Sequence, residues 1–409
     1  MIESPSLRLP AGMRDFPPRA AAARRRIAET LLGVFERWGF ARVITPAFEY
    51  EDVLALGLGP AGRAAAIRFV EPTSGQVVAL RPDITPQIAR MIATRFRDED
   101  GPVRLCYEGT VVRLTRGARS QRELIQAGVE LAGVPGPYGD AEVIALGAEA
   151  LAATGLGPVT IDLGHLGLAR EVLASLALPD GARSSFRRLI AKRDRAGLDE
   201  VLRQARGSRP AARFARALPD LAGAPSVLDA ASRQSPTPGI RRALRGLQSI
   251  VREIEAQTSG IRLRVDLGEV RGFDYYTGVR FQGFVAGAPD AVLQGGRYDA
   301  LLGRYGRPSP AVGFAVDVEA AAGALESRDG GGAASSATRT NGAGAGSGGP
   351  VLVTGRAQSA AALARSLRRQ GRDAAVYSGA VGLRAADVEA YARRWGFAEI
   401  RRAGAKGGG

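Results

Sequence analysis

The chain of 409 residues has one cysteine, Cys106, and one histidine, His165. A single thiol excludes an internal disulfide, and so few soft ligands argue against a structural zinc site. A lone Cys and a lone His in separate strand-like segments also make no nucleophile–base pair. No apolar run approaches the ~20 residues that span a bilayer, because Arg, Asp or Gly interrupts each one. Residues 1–16 lack the basic start and long apolar stretch of a secretory signal. The expected home is the cytoplasm, with no membrane partner. Lysine is nearly missing: only Lys192 and Lys406 occur, so 54 of the 56 basic residues are Arg. The formal charge of +15 therefore reads mainly as coding bias beside abundant Ala and Gly, and less as a nucleic-acid surface.

What is present suits a soluble protein of two or three domains, with 45% hydrophobic and 24% charged residues. Residues 19–38 have the period of an amphipathic helix, with Ile27, Leu31, Val34, Phe35 and Trp38 on one face. Val43–Pro46 reads as a short strand, residues 67–80 as a hairpin around Pro72–Gly75, and Pro86–Phe96 as a helix. Residues 103–113 and 122–131 form a strand pair. A helix over 140–153, a strand at Val159–Leu163 and a mostly helical insertion around 167–257 follow. Strand character returns over 261–285, Gly295–Asp299 reads as a loop entering a short helix, and Ala311–Val318 as a strand. The order predicts an α+β domain over 1–326 around a largely antiparallel sheet. Residues 327–350, rich in Gly, Ala and Ser, read as a flexible linker. Residues 351–409 read as a small α/β domain with strict strand–helix alternation.

Four clusters could carry chemistry. In Leu80-Arg81-Pro82-Asp83-Ile84-Thr85 a carboxylate and a hydroxyl stand two residues apart, suited to an ammonium group or, equally, to capping the helix that follows. Gln126, Gly128 and Glu130 have the period of one strand face, so an amide and a carboxylate flank a glycine gap that suits a small nitrogen-rich ligand. They could also be solvated strand residues. Arg271-Gly272-Phe273-Asp274-Tyr275-Tyr276 offers a guanidinium fork for a carboxylate and paired tyrosines on the two faces of a strand. Gly295-Gly296-Arg297-Tyr298-Asp299 permits close backbone approach to a ligand, or simply makes a turn.

Taken together, in this order and spacing, the clusters resemble the class II histidyl-tRNA synthetase family over about residues 8–325. Leu9–Asp15 resembles the family's opening segment and Gly39–Glu49 its motif 1, which implies a homodimer. The resemblance implies histidine contacts from Asp83, Thr85, Gln126, Glu130, Arg271, Tyr276 and Tyr298, with Arg113 and Tyr275 completing the set. In it, Asp83, Thr85 and Gln126 take the α-ammonium, Arg271 the α-carboxylate, and Glu130 with Tyr276 the imidazole. The segment 351–401 resembles an anticodon-binding domain only faintly, so tRNA is not an expected partner.

Two positions break the synthetase pattern. Motif 2 expects Arg-x-Glu, and here Thr115 follows Arg113 and Leu114. Motif 3 expects an Arg for ATP where Ala320 stands. Loss of one preorganised charge of this kind costs on the order of 10² in rate. A histidine pocket beside a lost ATP site is similar to the synthetase-like regulatory subunits of ATP phosphoribosyltransferase, as is the wording Leu80–Thr85 and Gln87-Ile88-Ala89-Arg90. That resemblance implies a non-catalytic subunit with no cofactor and no metal. It implies a short-form ATP phosphoribosyltransferase catalytic subunit as partner, and histidine as allosteric effector on the first step of histidine biosynthesis. The alternatives are an active histidyl-tRNA synthetase and a tRNA-binding protein living on basic charge.

Overall fold

The computed structural model describes residues 8–114, 121–258, 260–329, 349–377 and 384–404. Its frame is a nine-stranded sheet in the order β1-β5-β6-β12-β11-β10-β7-β9-β8. The strands are β1 (Ala41–Arg42), β5 (Val103–Val112), β6 (Glu123–Ala132), β7 (Thr160–His165), β8 (Ala222–Gly223), β9 (Arg262–Asp266), β10 (Val279–Phe284), β11 (Leu293–Arg297) and β12 (Ala311–Asp317). All neighbours are antiparallel except β1 with β5 and β7 with β9, so the expected α+β architecture holds. Beside it lies a small sheet of β2 (Phe48–Tyr50), β3 (Arg68–Val70) and β4 (Val77–Leu80), ordered β2-β4-β3.

One face of the large sheet is covered by the helices Pro18–Arg37 and Tyr138–Ala153. The first presents Leu31, Val34 and Phe35, all fully buried, with Phe35 edge-on to Phe314 of β12 at 5.6 Å. Fully burying each such side chain stabilises by about 1.5–3 kcal/mol. The second helix sits close because Gly147 has no side chain: a Cβ there would lie 2.8 Å from Leu293. Its first turn is anchored by Asp140, which accepts from Arg297 Nε of β11 at 2.7 Å in a buried pair. Burial pushes the Asp140 carboxyl up to about 6 against the pull of Arg297. The Arg of the Gly-Gly-Arg-Tyr-Asp cluster is thus a structural anchor for the neighbouring Tyr298.

The region 167–257 is helical as expected, but it is not a separate body. Its side chains share the main core, and β8 extends the edge of the large sheet. Cys106 and His165 are both structural. Cys106 is buried, its thiol pushed up to about 12 chiefly by burial. His165 Nδ1 accepts from Leu168 N at 3.1 Å and caps the helix Leu166–Leu176, and burial lowers its pKa to about 4.

Three expectations are corrected. Residues 43–46 are not a strand; the pairing falls on Ala41–Arg42 against Leu105–Cys106. The carbonyls of Thr45, Pro46 and Ala47 are satisfied instead by Arg81 and Gln87, so no ladder is needed. Residues 271–276 form a turn rather than a strand, opened by Gly272 at φ +73° and closed by Tyr276 N donating to Gly272 O at 2.9 Å. Gly295–Arg297 is strand β11, not a loop. A Cβ at Gly295 would meet Gly313 O at 2.4 Å, so these glycines serve close strand contact. At the linker, the helix Val318–Asp329 runs into the segment expected to be flexible. Residues 330–348 lie outside the described residues.

The C-terminal unit is a parallel three-stranded sheet, β13 (Val351–Thr354), β14 (Ala374–Val376) and β15 (Glu399–Arg402), ordered β14-β13-β15. It carries the helices Ala357–Arg369 and Ala385–Arg394. Tyr377, Tyr391, Trp395 and Phe397 pack together as expected of core residues. They also dock on the main domain: Trp395 stacks on Phe96 at 5.6 Å, and Tyr391 OH donates to Pro102 O at 2.8 Å. Arg104 is fully buried at this junction. It pairs with Glu142 at 3.1 Å, reaches Tyr391 OH at 3.3 Å and donates to Val376 O. Arg104→Ala would leave Glu142 as a buried unpaired charge, a cost of about 3–5 kcal/mol. Thermal denaturation should show that loss, limited proteolysis should release the C-terminal unit, and adding Glu142→Gln should restore part of both.

Candidate functional site

The site opens on the sheet face opposite those two helices, where β5, β6, β11 and β12 meet the start of the helix Thr85–Arg95. A cavity of about 160 Å³ is lined by Asp83, Thr85, Arg113, Gln126, Tyr275, Tyr276 and Tyr298. Seven of the nine expected ligand residues therefore share one wall. The other two lie elsewhere, and the difference is instructive.

Glu130 lies one layer below. On β6 it faces the same way as Gln126 and Gly128, but the glycine gap between them is not empty. Tyr107 of β5 stands in register with Gly128, and a Cβ at 128 would sit 2.6 Å from the Tyr107 hydroxyl. The phenol fills the gap and reaches Glu130 Oε1 at 3.4 Å. Thr85 Oγ1 donates to the same oxygen at 2.6 Å. Gly313 of β12 pairs with Glu130 from the other side, and a Cβ there would fall 1.9 Å from Glu130 Oε2 and 2.5 Å from Tyr298 OH. Glycine is required at 313 because a carboxyl and a phenol converge there.

Among the described residues, Glu130 Oε2 has no hydrogen-bond partner, and neither do Tyr298 OH, Gln126 Oε1 or Arg113 Nε, all buried atoms. Buried polar atoms without partners are uncommon in folded proteins; three of these, on Gln126, Arg113 and Tyr298, belong to residues of the cavity wall, and the fourth lies one layer below. Burial, reinforced by the charge of Asp83, raises the Glu130 carboxyl well above the ordinary range, although Thr85 and Tyr107 pull the other way. Both donors fall on Oε1, which leaves Oε2 open among the described residues. Burial likewise raises the hydroxyls of Tyr107, Tyr275 and Tyr276, which stay neutral.

Arg271 faces a larger outer groove of about 780 Å³ that shares Asp83, Arg113, Tyr275 and Tyr276 with the cavity. Its guanidinium is engaged by Glu269 at 2.5 Å and by Gln282 at 3.0 Å. Despite burial, which opposes the shift, Arg271 and Arg280 hold Glu269 below the usual carboxylate range. Asp83 serves the helix start and also lies on the cavity wall. Its Oδ1 accepts from Thr85 N at 3.1 Å at the helix start, and its side chain still lines the cavity.

Sequence reasoning missed Tyr107, Gln294 and Asp317. The last two line the far end of the cavity. Tyr107 could have been found from the hairpin register, because it stands directly across from Gly128. Gln294 and Asp317 gave no local signal. Asp317 Oδ1 accepts from Ala320 N at 3.0 Å, and the Ala320 methyl packs against the main core where an Arg was expected. Thr115 lies outside the described residues.

The cavity, with these donors and acceptors, can be set beside known proteins. The family model described as histidyl-tRNA synthetase matches residues 12–321. The ATP phosphoribosyltransferase regulatory subunit of Geobacter sulfurreducens is 43% identical over 329 residues, or 80% of this chain and 74% of that protein. The protein of the same name from Anaeromyxobacter dehalogenans strain 2CP-C is 43% identical over 336 residues, or 80% and 93%. A solved Bacillus halodurans structure described as an ATP phosphoribosyltransferase regulatory subunit/histidyl-tRNA synthetase is similar at a TM-score of 0.72 and 25% identity, covering 98% of this chain and 100% of that one. Histidyl-tRNA synthetase from Nostoc, 20% identical with a TM-score of 0.64, shares the fold. By sequence and by fold, this chain belongs to the ATP phosphoribosyltransferase regulatory subunits, within the wider histidyl-tRNA synthetase family.

Proposed function

We propose that this chain is a non-catalytic regulatory subunit of ATP phosphoribosyltransferase. In this reading it holds histidine in the 160 Å³ cavity and sets the activity of a short-form catalytic partner at the first step of histidine biosynthesis. The observation that carries the ligand is the set of buried atoms without partners. The α-ammonium lies against Asp83, Thr85 and Gln126 Oε1. The imidazole points to the floor, where one ring N–H meets Glu130 Oε2 and the other nitrogen accepts from a tyrosine hydroxyl, Tyr276 or Tyr298. Arg113, with its unpartnered Nε at the cavity mouth, is better placed for the α-carboxylate than Arg271, which Glu269 already engages. The protein acts as a homodimer through the motif 1 region, in the cytoplasm, and neither tRNA nor a metal has a part.

The loss of synthetase chemistry rests on two side chains. Ala320 gives no cation for ATP phosphates, and Thr115 gives no carboxylate. No described helix is long and apolar enough to cross a membrane. The unit 349–404 spends its aromatic side chains on its own core and on the junction with Phe96 and Pro102, which leaves no stacking platform of the kind single-stranded RNA needs.

Isothermal titration should show one histidine site per chain, while ATP–pyrophosphate exchange stays at background. Robust exchange would favour an active synthetase instead. A second expectation concerns pH. The folded-state pKa of Glu130 is raised, so the empty protein binds more protons than the unfolded chain above the ordinary carboxylate range. Its stability must therefore fall as pH climbs through that window. Glu130→Gln should remove this slope, and unliganded Glu130→Gln should melt at least as high as the parent at pH 8. The same variant should weaken histidine binding about 10–100-fold, the cost of one buried hydrogen bond left unmade. Histidine affinity of the parent should rise with pH, because binding displaces the Glu130 proton.

A further inference from the structure

The small sheet carries an aromatic face that is partly exposed among the described residues. Phe48, Tyr50 and Phe69 are 44%, 44% and 38% exposed, and Ile44, just before them, is 84% exposed. Register sets Tyr50, Val78 and Phe69 side by side and Phe48 beside Leu80. The rings of Phe48 and Phe69 meet edge-on at 5.5 Å. Glu49 and Arg68 occupy the alternate positions of the same strands, so the charges point to the other side.

The occupant that fits is a second copy of this chain. The chain carries +15, so two copies repel except where a face lacks charge. A partner of opposite charge would be read through arginines, and the strand positions on this face (Phe48, Tyr50, Phe69, Val78 and Leu80) include none. A two-fold axis lets one aromatic patch cover its own image.

Directly behind this face runs the segment that holds the cavity. Arg81 is buried and gives its guanidinium to Thr45 O at 2.9 Å and Thr110 O at 2.6 Å. Its backbone N donates to Ala47 O at 3.1 Å. Gln87, fully buried, donates to Pro46 O at 2.9 Å and Glu49 Oε2 at 3.0 Å. Arg90, one turn on, pairs with Glu49. Two residues after Arg81 comes Asp83, and then Thr85, whose hydroxyl is committed to Glu130 while the cavity is empty. A ligand ammonium at Asp83 and Thr85 redirects that hydroxyl at the first residue of the helix. The helix start can adjust only against the carbonyls of 45–47 and the carboxylate of Glu49.

We propose that histidine occupancy and self-association through the Ile44–Tyr50 face are one linked equilibrium, carried by the Arg81–Arg90 segment. The inference rests on the histidine and dimer readings above and adds the coupling between them. Histidine fixes the helix start, so it favours the associated form. By linkage the dimer must then bind histidine more tightly than the monomer by the same factor.

Sedimentation equilibrium of the full chain, with and without saturating histidine, measures one side of the cycle. Calorimetric titration of histidine above and below the dimer dissociation constant measures the other. Phe48→Asp brings dissociation into range if the parent dimer is too tight. The expected result is a tightening of the dimer by about 5-fold or more, the lower end of typical coupling, matched by an equal change in histidine affinity. Arg90→Ala and Glu49→Ala, both away from the cavity wall, should still bind histidine but lose the shift to within twofold. A dimer that binds histidine with no mutual effect overturns the inference alone, as would variants that keep the full shift. A chain that stays monomeric at every concentration sinks the dimer reading and the inference together. Absence of histidine binding sinks the cavity reading first.

Discussion

A carboxyl group buried between two glycines organises this molecule. Glu130 needs Gly313 across one strand pair, because any side chain there would overlap Oε2. It needs Tyr107 across the other, in the space that Gly128 leaves open. It also needs Thr85, which brings the helix Thr85–Arg95 to the sheet. Burying an ionised carboxylate without partners is costly, so burial raises the pKa of this carboxyl, and both of its donors fall on one oxygen. The second oxygen has no partner among the described residues. The position of the cavity, the register of three strands and the docking of one helix all follow from satisfying that single group halfway.

The arginines show how a strongly biased composition is absorbed. Arg81 ties the motif 1 strip to the hairpin, Arg104 holds the C-terminal unit, and Arg297 anchors the helix at Asp140. Each is buried and each donates to at least one backbone carbonyl, and Arg104 and Arg297 bind acids as well. A planar fork with five donors can satisfy several backbone carbonyls at once, which a lysine cannot. Part of the high net charge is therefore structural, and the remainder lies on the surface.

The same junctions explain why the C-terminal unit sits as a cover on the main domain. Phe96, Pro102 and Gly101 meet Trp395 and Tyr391, and a Cβ at Gly101 would strike the Tyr391 ring at 2.3 Å. The chain shares the synthetase fold, has Ala at position 320, and has a small polar cavity.

Local pattern made much of this legible. Helical periodicity placed Pro18–Arg37, and period-two alternation placed β5, β6 and the C-terminal strands, because those elements are set by side chains a few residues apart. The order of motifs pointed to Asp83, Thr85, Gln126, Tyr275, Tyr276 and Tyr298, and all of them line the cavity. Only tertiary structure decided the rest. Tyr107 fills the glycine gap because strands β5 and β6 pair in one register. Arg271 is drawn off the wall because Gln282 of β10 takes its guanidinium together with Glu269. Residues 43–46 are not a strand because Arg81 and Gln87 take their carbonyls from 35 or more positions away. Spacing along a chain reports which groups can share a face, whereas which partner fills each hydrogen bond is settled only when distant segments compete for it.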